Sequence, residues 1–410
     1  MKKVLLTWSV VIFICSIVGA SILPSIVAID GQQNQIKIDI GDGLHTGKVT
    51  NNPYTGRLRV YVVEPVSRWN MQSGQPYHFG FLGFAFNENI SIDLQTTLQK
   101  SITWNGDVTD TNVMVIAVVF NSKQNQAYSN APAGNPFWAY YTDAAAAATP
   151  GHTGYNRVAT NFTHTVFIEE ATATWCPYCP LMAEALYNIS QLGIYPFYYV
   201  AMVDDMNTQA SSRVRNEYNI YGFPTGYYDG GYRVVVGGTT SQNAYLSPLK
   251  SCGKHKVTAL NLSVSLTYIG SGNLQIGVNI TNNNLPPATP QTPSGQINGT
   301  IGIKYNYTTT TTDPNNDDIS YWFDWSDGTN SGWIGPYHPG VMAKASHTWT
   351  KKGTYSIKVK AMDSSNCESN WSASLPITMP YSYNQIPPFL EMLFQRFPHA
   401  FPILRQLLGC

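Results

Sequence analysis

The chain has 410 residues, too many for one hydrophobic core, so roughly two to four domains are expected. Charged side chains make up only 12%, about half the usual share, which leaves solubility to neutral polar groups. The 24 basic and 24 acidic groups cancel, excluding the basic footprint that nucleic-acid or polyanion binding requires.

After MKK, an apolar run from Val4 to about Ala28 is broken by Pro24 and has small residues near Ala20 and Ala28. Residues 1–29 therefore read as a secretory signal peptide, or as a membrane anchor if left uncleaved, and the remainder as extracellular or cell-surface. Asn-X-Ser/Thr sequons at Asn89, Asn161, Asn188, Asn261, Asn279, Asn298, Asn306 and Asn370 fit a glycosylated surface.

Residues 33–125 alternate with period two in RLRVYVVE, YHFGFLGFAF, SIDLQ and NVMVIAVVF, the pattern of a β-sandwich domain. Trp69, Tyr77, His78 and Trp104 there are expected in the core. Residues 126–158 lose the alternation and hold a five-Ala run and TPGHTG, so a linker is expected.

From 159 to 255 the order changes to α/β: strand VFIEEA, a helix opening at WCPYCP, strand FYYVAMVD, and a polar helix near Gln209–Tyr218. Two short strands follow GFPTG, then a last helix near Ser241–Ser251. Residues 256–290 form a β segment and a proline-rich linker. Too short to bury a sheet face alone, its strands are expected to pair with the N-terminal sandwich, whose GKVTNN they repeat as GVNITNN. A third, β-rich unit is expected over 291–380, and an amphipathic tail over 381–410, with Phe389, Leu390, Leu393, Phe394 and Phe397 on one helical face.

Cys176 and Cys179 fall where a helix follows a strand, and there the helix dipole and unbonded amides favour a thiolate. Cys176 is the candidate nucleophile; Cys179, three residues on, can close back on it and resolve a mixed disulfide. A CxxC in an exported chain is also compatible with a static disulfide or half a zinc site, with Cys252 and His255 as the other half. DPNNDD at 313–318 alternates oxygen donors as some calcium loops do, but lacks the spaced Gly and downstream Glu of an EF-hand, so an Asp/Asn turn is expected. No cofactor or metal is assigned, and no HExxH, nucleophile elbow, phosphate loop or dinucleotide fingerprint occurs.

TWCPYCP after VFIEEA, followed by GFPTG, resembles the thioredoxin superfamily over about residues 160–255, with a Pro-Tyr dipeptide like that of glutaredoxins. The resemblance implies that Pro224 is cis and packs against the redox pair, that the last helix carries Cys252 away from Cys176, and that Glu170, where thioredoxins have Asp, exchanges a proton with the resolving thiol; read from its place in the strand alone, Glu170 is instead expected to be a solvated strand-end acid. Residues 57–120 resemble β-domains attached to such folds in secreted archaeal proteins and adhesin-like redoxins. WFDWSDGT and HTW…GTY resemble a polycystic kidney disease (PKD) domain, an immunoglobulin-like sandwich associated with protein or carbohydrate contacts. The expected activity is thiol–disulfide exchange on cysteines of exported proteins with a separate redox partner. The alternative is a redox-inert surface adhesin or scaffold.

Overall fold

The computed structural model describes residues 53–159, 161–380 and 388–397. The expected signal or anchor, the start of the first sandwich up to residue 52, Cys15, and the tail beyond residue 397 with Cys410 lie outside the described residues. All eight sequon asparagines are exposed.

The N-terminal half is strand-rich: β1 (Tyr54–Asn70), β2 (Pro76–Ile92), β3 (Thr97–Asn105), β4 (Met114–Asn130), β5 (Gly134–Ala148) and β6 (His152–Tyr155). Next come β7 (Val166–Thr172), α1 (Cys179–Gln191), β8 (Phe197–Val203), α2 (Thr208–Ser212) continued by a π turn at Arg213–Glu217, β9 (Thr225–Tyr228), β10 (Arg233–Val236) and α3 (Asn243–Gly253). The hairpin β11 (Leu260–Gly270) and β12 (Asn273–Asn282) follows.

The linker expected over 126–158 is absent; β4, β5 and β6 occupy that stretch. Ala144–Ala148 form a strand buried on both faces, where a side chain larger than a methyl has little room. A run of one small residue carries no hydrophobic alternation, which is why the strand was not visible to a period-two reading. The same crowding fixes Gly154 of β6, because a Cβ there would lie 1.7 Å from the Ala147 carbonyl oxygen.

Nor are the first sandwich and the α/β unit separate sheets. Eight strands share the order β10-β9-β7-β8-β2-β1-β4-β5, joined by one parallel pair between Gly80 of β2 and Ala201 of β8. The order β3-β12-β11-β6 makes a second sheet, so the 256–284 segment does pair with the N-terminal strands. Strand alternation then sorts the layers. Leu58, Val60 and Val62 of β1 face the second sheet, while Tyr61 and Val63 face the opposite side. There they share one apolar layer with Phe167 and Ala171 of β7, Val200 and Met202 of β8, and Val214 beside α2. The far face of β7 and β8, with Ile168 and Tyr199, is covered by Met182 and Leu186 of α1 and Leu249 of α3. Burial on both faces explains the continuous apolar run VYVV, residues 60–63, in β1.

The layer between the two halves of the long sheet also holds a buried ionic network. Arg213 Nε and Nη2 donate to Glu169 Oε1 and Oε2 at 2.9 and 2.8 Å, and Tyr61 donates to Glu169 Oε1 at 2.9 Å. Tyr218 donates to the same carboxylate. Arg59 of β1 and Arg213 both donate to Glu217, at 2.6 and 2.7 Å. Burial works to raise the Glu169 pKa, but the two guanidiniums outweigh it and hold the group below its usual range.

Over 291–380 the chain forms β13 (Ser294–Gly295), β14 (Lys304–Thr309), β15 (Ile319–Asp324), β16 (Asn330–Tyr337), β17 (Ala343–Thr348), β18 (Gly353–Met362) and β19 (Leu375–Met379). Sheets β13-β14-β17 and β16-β15-β18-β19 enclose Tyr307, Tyr321, Trp325, Trp349, Ile357 and Val359. The tail helix is present as α4 (Pro388–Arg396).

Glu169→Gln leaves the Arg213 charge without its main partner. It is expected to cost about 3 kcal/mol, near the lower end for a broken buried pair because Glu217 still contacts Arg213. The shift of the urea midpoint between variant and wild type measures it.

Candidate functional site

β7 ends at Thr172 beneath the segment 173–178, and α1 begins at Cys179 with Pro180 in its first turn, where a missing amide hydrogen costs nothing. Cys176 therefore sits in the turn before the helix rather than within it, its amide bonded to the Ala173 carbonyl at 3.1 Å. Cys176 and Cys179 form a disulfide with Cα atoms 5.4 Å apart. The two cysteines are nearly inaccessible, at 2% and 0% exposure, whereas Trp175 and Tyr178 beside them are 58% and 62% exposed.

The pairing of Ala171 with Thr225 brings the segment before β9 alongside the end of β7. Phe223 consequently packs on Ala173, Cys176 and Cys179, and the Phe223–Pro224 peptide bond is cis. The Pro224 carbonyl accepts from the Gly237 amide at 2.8 Å. Gly238 allows the chain after β10 to close over the cysteine loop, since a Cβ there would lie 2.1 Å from the Tyr178 carbonyl oxygen. Trp175 meets Phe223 edge to face at 5.8 Å, and the Arg215 guanidinium, paired with Asp204, lies 5.8 Å from the centre of the Phe223 ring.

Glu170 shares the strand parity of Val166 and Ile168, which places it on the α1 face of β7, opposite to Glu169. It is fully buried, neither carboxyl oxygen has a partner, and burial pushes its pKa up to about 8. The Tyr199 and Tyr228 hydroxyls, electrostatically coupled to it, are likewise buried without partners. An uncharged carboxyl with free hydrogen-bonding capacity is able to take or give a proton near neutral pH.

Sequence reasoning did not anticipate the role of β2. Tyr77 is fully buried; its hydroxyl donates to the Ala173 carbonyl at 3.0 Å and accepts from Thr172 at 2.9 Å, so the first sandwich holds the loop carrying the disulfide. His78 stacks on Tyr187 of α1 at 3.5 Å. Thr174 is fixed through Asp205, whose Oδ1 accepts its amide at 3.0 Å. Tyr77 and His78 are two of the four aromatic residues expected in the first sandwich's core, an expectation that carries no link to the cysteine loop.

Cys252 is buried near Asp229, which also binds His164 at 2.9 Å, and burial drives its thiol pKa well upward. Among the described residues, the one group of three side chains close enough to share a metal ion is Asp313, Asp317 and Asp363.

No protein-family model matches the chain, and no curated protein matches it. Among solved structures, the PKD domain of an M14-like peptidase from Thermoplasmatales archaeon SCGC AB-540-F20 is 52% identical. The match covers 24% of this chain and 98% of that one, at a TM-score of 0.23. The chain thus contains a PKD domain, and the identity extends to that domain alone. A β-1,2-glucanase from Parabacteroides distasonis and the Endo-D glycoside hydrolase domain from Streptococcus pneumoniae R6 are 11% and 10% identical. They cover 70% and 78% of this chain and 37% and 43% of their own, both at a TM-score of 0.18, likenesses that carry no inference.

Glu170 has a folded pKa of about 8 against an ordinary 4.5, so the folded state retains a proton that the unfolded state loses. Its contribution is complete below pH 4.5 and is lost as pH rises through 8. Glu170→Gln, neutral throughout, is expected to gain stability relative to wild type across that window, by on the order of a few kcal/mol at its alkaline end. Thermal unfolding of both proteins at stepped pH tests this; parallel curves would contradict it.

Proposed function

We propose that this chain is an extracytoplasmic thiol–disulfide oxidoreductase with a thioredoxin-like catalytic unit at 159–255, acting on cysteines of exported proteins. The observation that carries the reading is the Cys176–Cys179 disulfide at the mouth of α1, with an orphaned buried carboxyl, Glu170, on the strand that leads into it. The cis Phe223–Pro224 bond beside it agrees with the same design.

In the oxidising direction, a substrate thiolate attacks Cys176 Sγ, the S–S bond breaks, and Cys179 leaves as a thiolate that accepts a proton from the Glu170 side. A second substrate thiolate then attacks the first substrate sulfur, the one bonded to Cys176 in the mixed disulfide, releasing Cys176 as thiolate and the substrate as disulfide. Two electrons pass to the protein, and a separate acceptor must remove them. Reduction of a substrate is the same path reversed, with a separate donor. The exposed Trp175 and Tyr178 rings would receive the substrate chain, while the PKD domain supplies contacts to protein or carbohydrate. The eight exposed sequon asparagines and the apolar N-terminal run support an extracellular or cell-surface setting.

The burial of both cysteines favours a second reading, a redox-inert surface scaffold in which the disulfide is structural. Insulin-disulfide reduction separates the two. The oxidoreductase reading expects turnover by wild type that falls to the uncatalysed rate in Cys176→Ser. It also expects the reduced Cys176 to be alkylated before Cys179, with a pKa below the free-thiol value of about 8.5. Equal rates for wild type and Cys176→Ser, with only a stability difference between them, would leave the scaffold.

A further inference from the structure

The Ala173 carbonyl, fully buried, accepts from two donors at once: the Cys176 amide at 3.1 Å and the Tyr77 hydroxyl at 3.0 Å. Tyr77 has a single proton to give, and its direction is fixed, because Thr172 Oγ1 donates to the same phenol oxygen at 2.9 Å. Burial raises the phenol pKa well above its ordinary value, so this proton is retained through the neutral and mildly alkaline range. The Tyr77 ring packs with Ala183 of α1 and with Ala201 and Val203 of β8, which delivers the hydroxyl on a rigid arm.

Other holds on the loop come from within the α/β unit. The Thr172 carbonyl accepts from the Asp204 amide at 2.8 Å, and Asp205 binds both the amide and the hydroxyl of Thr174. Tyr77 comes instead from β2 of the first sandwich, whose ladder meets β8 at one residue pair. The direction of its effect follows from charge. A disulfide carries none, whereas the reduced pair places a thiolate on Cys176. The oxygen bonded to the Cys176 amide carries partial negative charge, which opposes that thiolate. A proton placed on the same oxygen offsets it, and does so for the reduced form alone.

We propose that Tyr77 is a positioning residue for exchange at Cys176, and that through its hydroxyl the first sandwich biases the cysteine pair toward the reduced state. The proposal rests on the oxidoreductase reading and adds a regulating element outside the α/β unit. Coupling of this kind is reciprocal: reduction strengthens the hold of β2 on the loop by the factor by which that hold favours reduction.

The full chain is compared as wild type, Tyr77→Phe and Tyr54→Phe. The last removes a buried hydroxyl of the same sandwich, the one bonded to Asp143 at 2.8 Å, and so reports lost stability without a lost loop contact. Glu170, Asp204, Asp205 and Arg215, the charged side chains brought to this loop by its neighbours, are the same in all three. Each protein is equilibrated with mixtures of reduced and oxidised glutathione, and the disulfide fraction is read by alkylation and mass spectrometry. Alkylation of the reduced proteins at stepped pH gives the Cys176 pKa. Tyr77→Phe is expected to shift the equilibrium toward disulfide about two- to tenfold, the range spanned by one hydrogen bond, and to raise the Cys176 pKa. It is also expected to cost the reduced protein more stability than the oxidised one. Tyr54→Phe is expected to keep the wild-type equilibrium and pKa. Thr172→Val, which frees the phenol to turn its proton away, is expected to shift both in the same direction by less, and keeps the test decisive if Tyr77→Phe does not fold. A wild-type equilibrium in whichever of Tyr77→Phe and Thr172→Val folds, or an equal shift in Tyr54→Phe, would overturn the assignment. Insulin left unreduced by wild type, with the Tyr77→Phe shift present, would instead reject the oxidoreductase reading and support the coupling.

Discussion

Two adjacent glutamates in β7 meet opposite fates, and the molecule is organised around the difference. A strand turns successive side chains to opposite faces, so Glu169 and Glu170 enter two different buried layers. Glu169 meets Arg213, Tyr61 and Tyr218, which together repay its desolvation and keep it ionised. The pair is therefore less a source of net stability than a condition of fit. A buried charge on β7 held by partners from β1 and the π turn demands that all three elements arrive in one geometry. Glu170 meets no partner and avoids the same penalty by remaining protonated. One residue of strand register separates a structural carboxylate from a chemically usable carboxylic acid.

The placement of the cysteine loop follows from that arrangement. Because β2 lies against β8 in a common sheet, Tyr77 reaches the Ala173 carbonyl and His78 reaches Tyr187 of α1. The α/β unit thus has its disulfide loop supported from outside its own sequence limits. A side chain at position 77 sets the backbone three residues ahead of Cys176 by hydrogen bonds, at low conformational entropy cost because an aromatic ring has few rotamers.

Much of this was legible in the sequence, and the omissions have physical causes. The strand before the cysteines and the helix opened by Pro180 carry strong local signals, a short apolar run and a fixed φ. The Ala144–Ala148 strand carries none, since alanine has neither β preference nor amphipathic contrast, and its burial on both faces is a property of its neighbours. The continuity of the long sheet rests on a single residue pair, Gly80 with Ala201, and leaves no composition to read. Glu169 was the most accessible signal passed over. Two carboxylates in succession within an apolar strand require that both faces provide for them, and only one had been considered.

The second sheet has a further consequence for how the chain comes into being. Thr97 of β3 hydrogen-bonds Thr281 of β12 across 184 residues, with the entire disulfide-bearing unit between them. At a synthesis rate of about 5–20 residues per second, roughly 10–40 s pass between the appearance of β3 and that of the strand it needs. Throughout that interval the layer over Leu58, Val60 and Val62 of β1 lacks its two central strands, β11 and β12. The cysteine unit emerges in the middle of the wait, so the first sandwich is completed around a neighbour already made, and its closure records that the unit between has reached its full length.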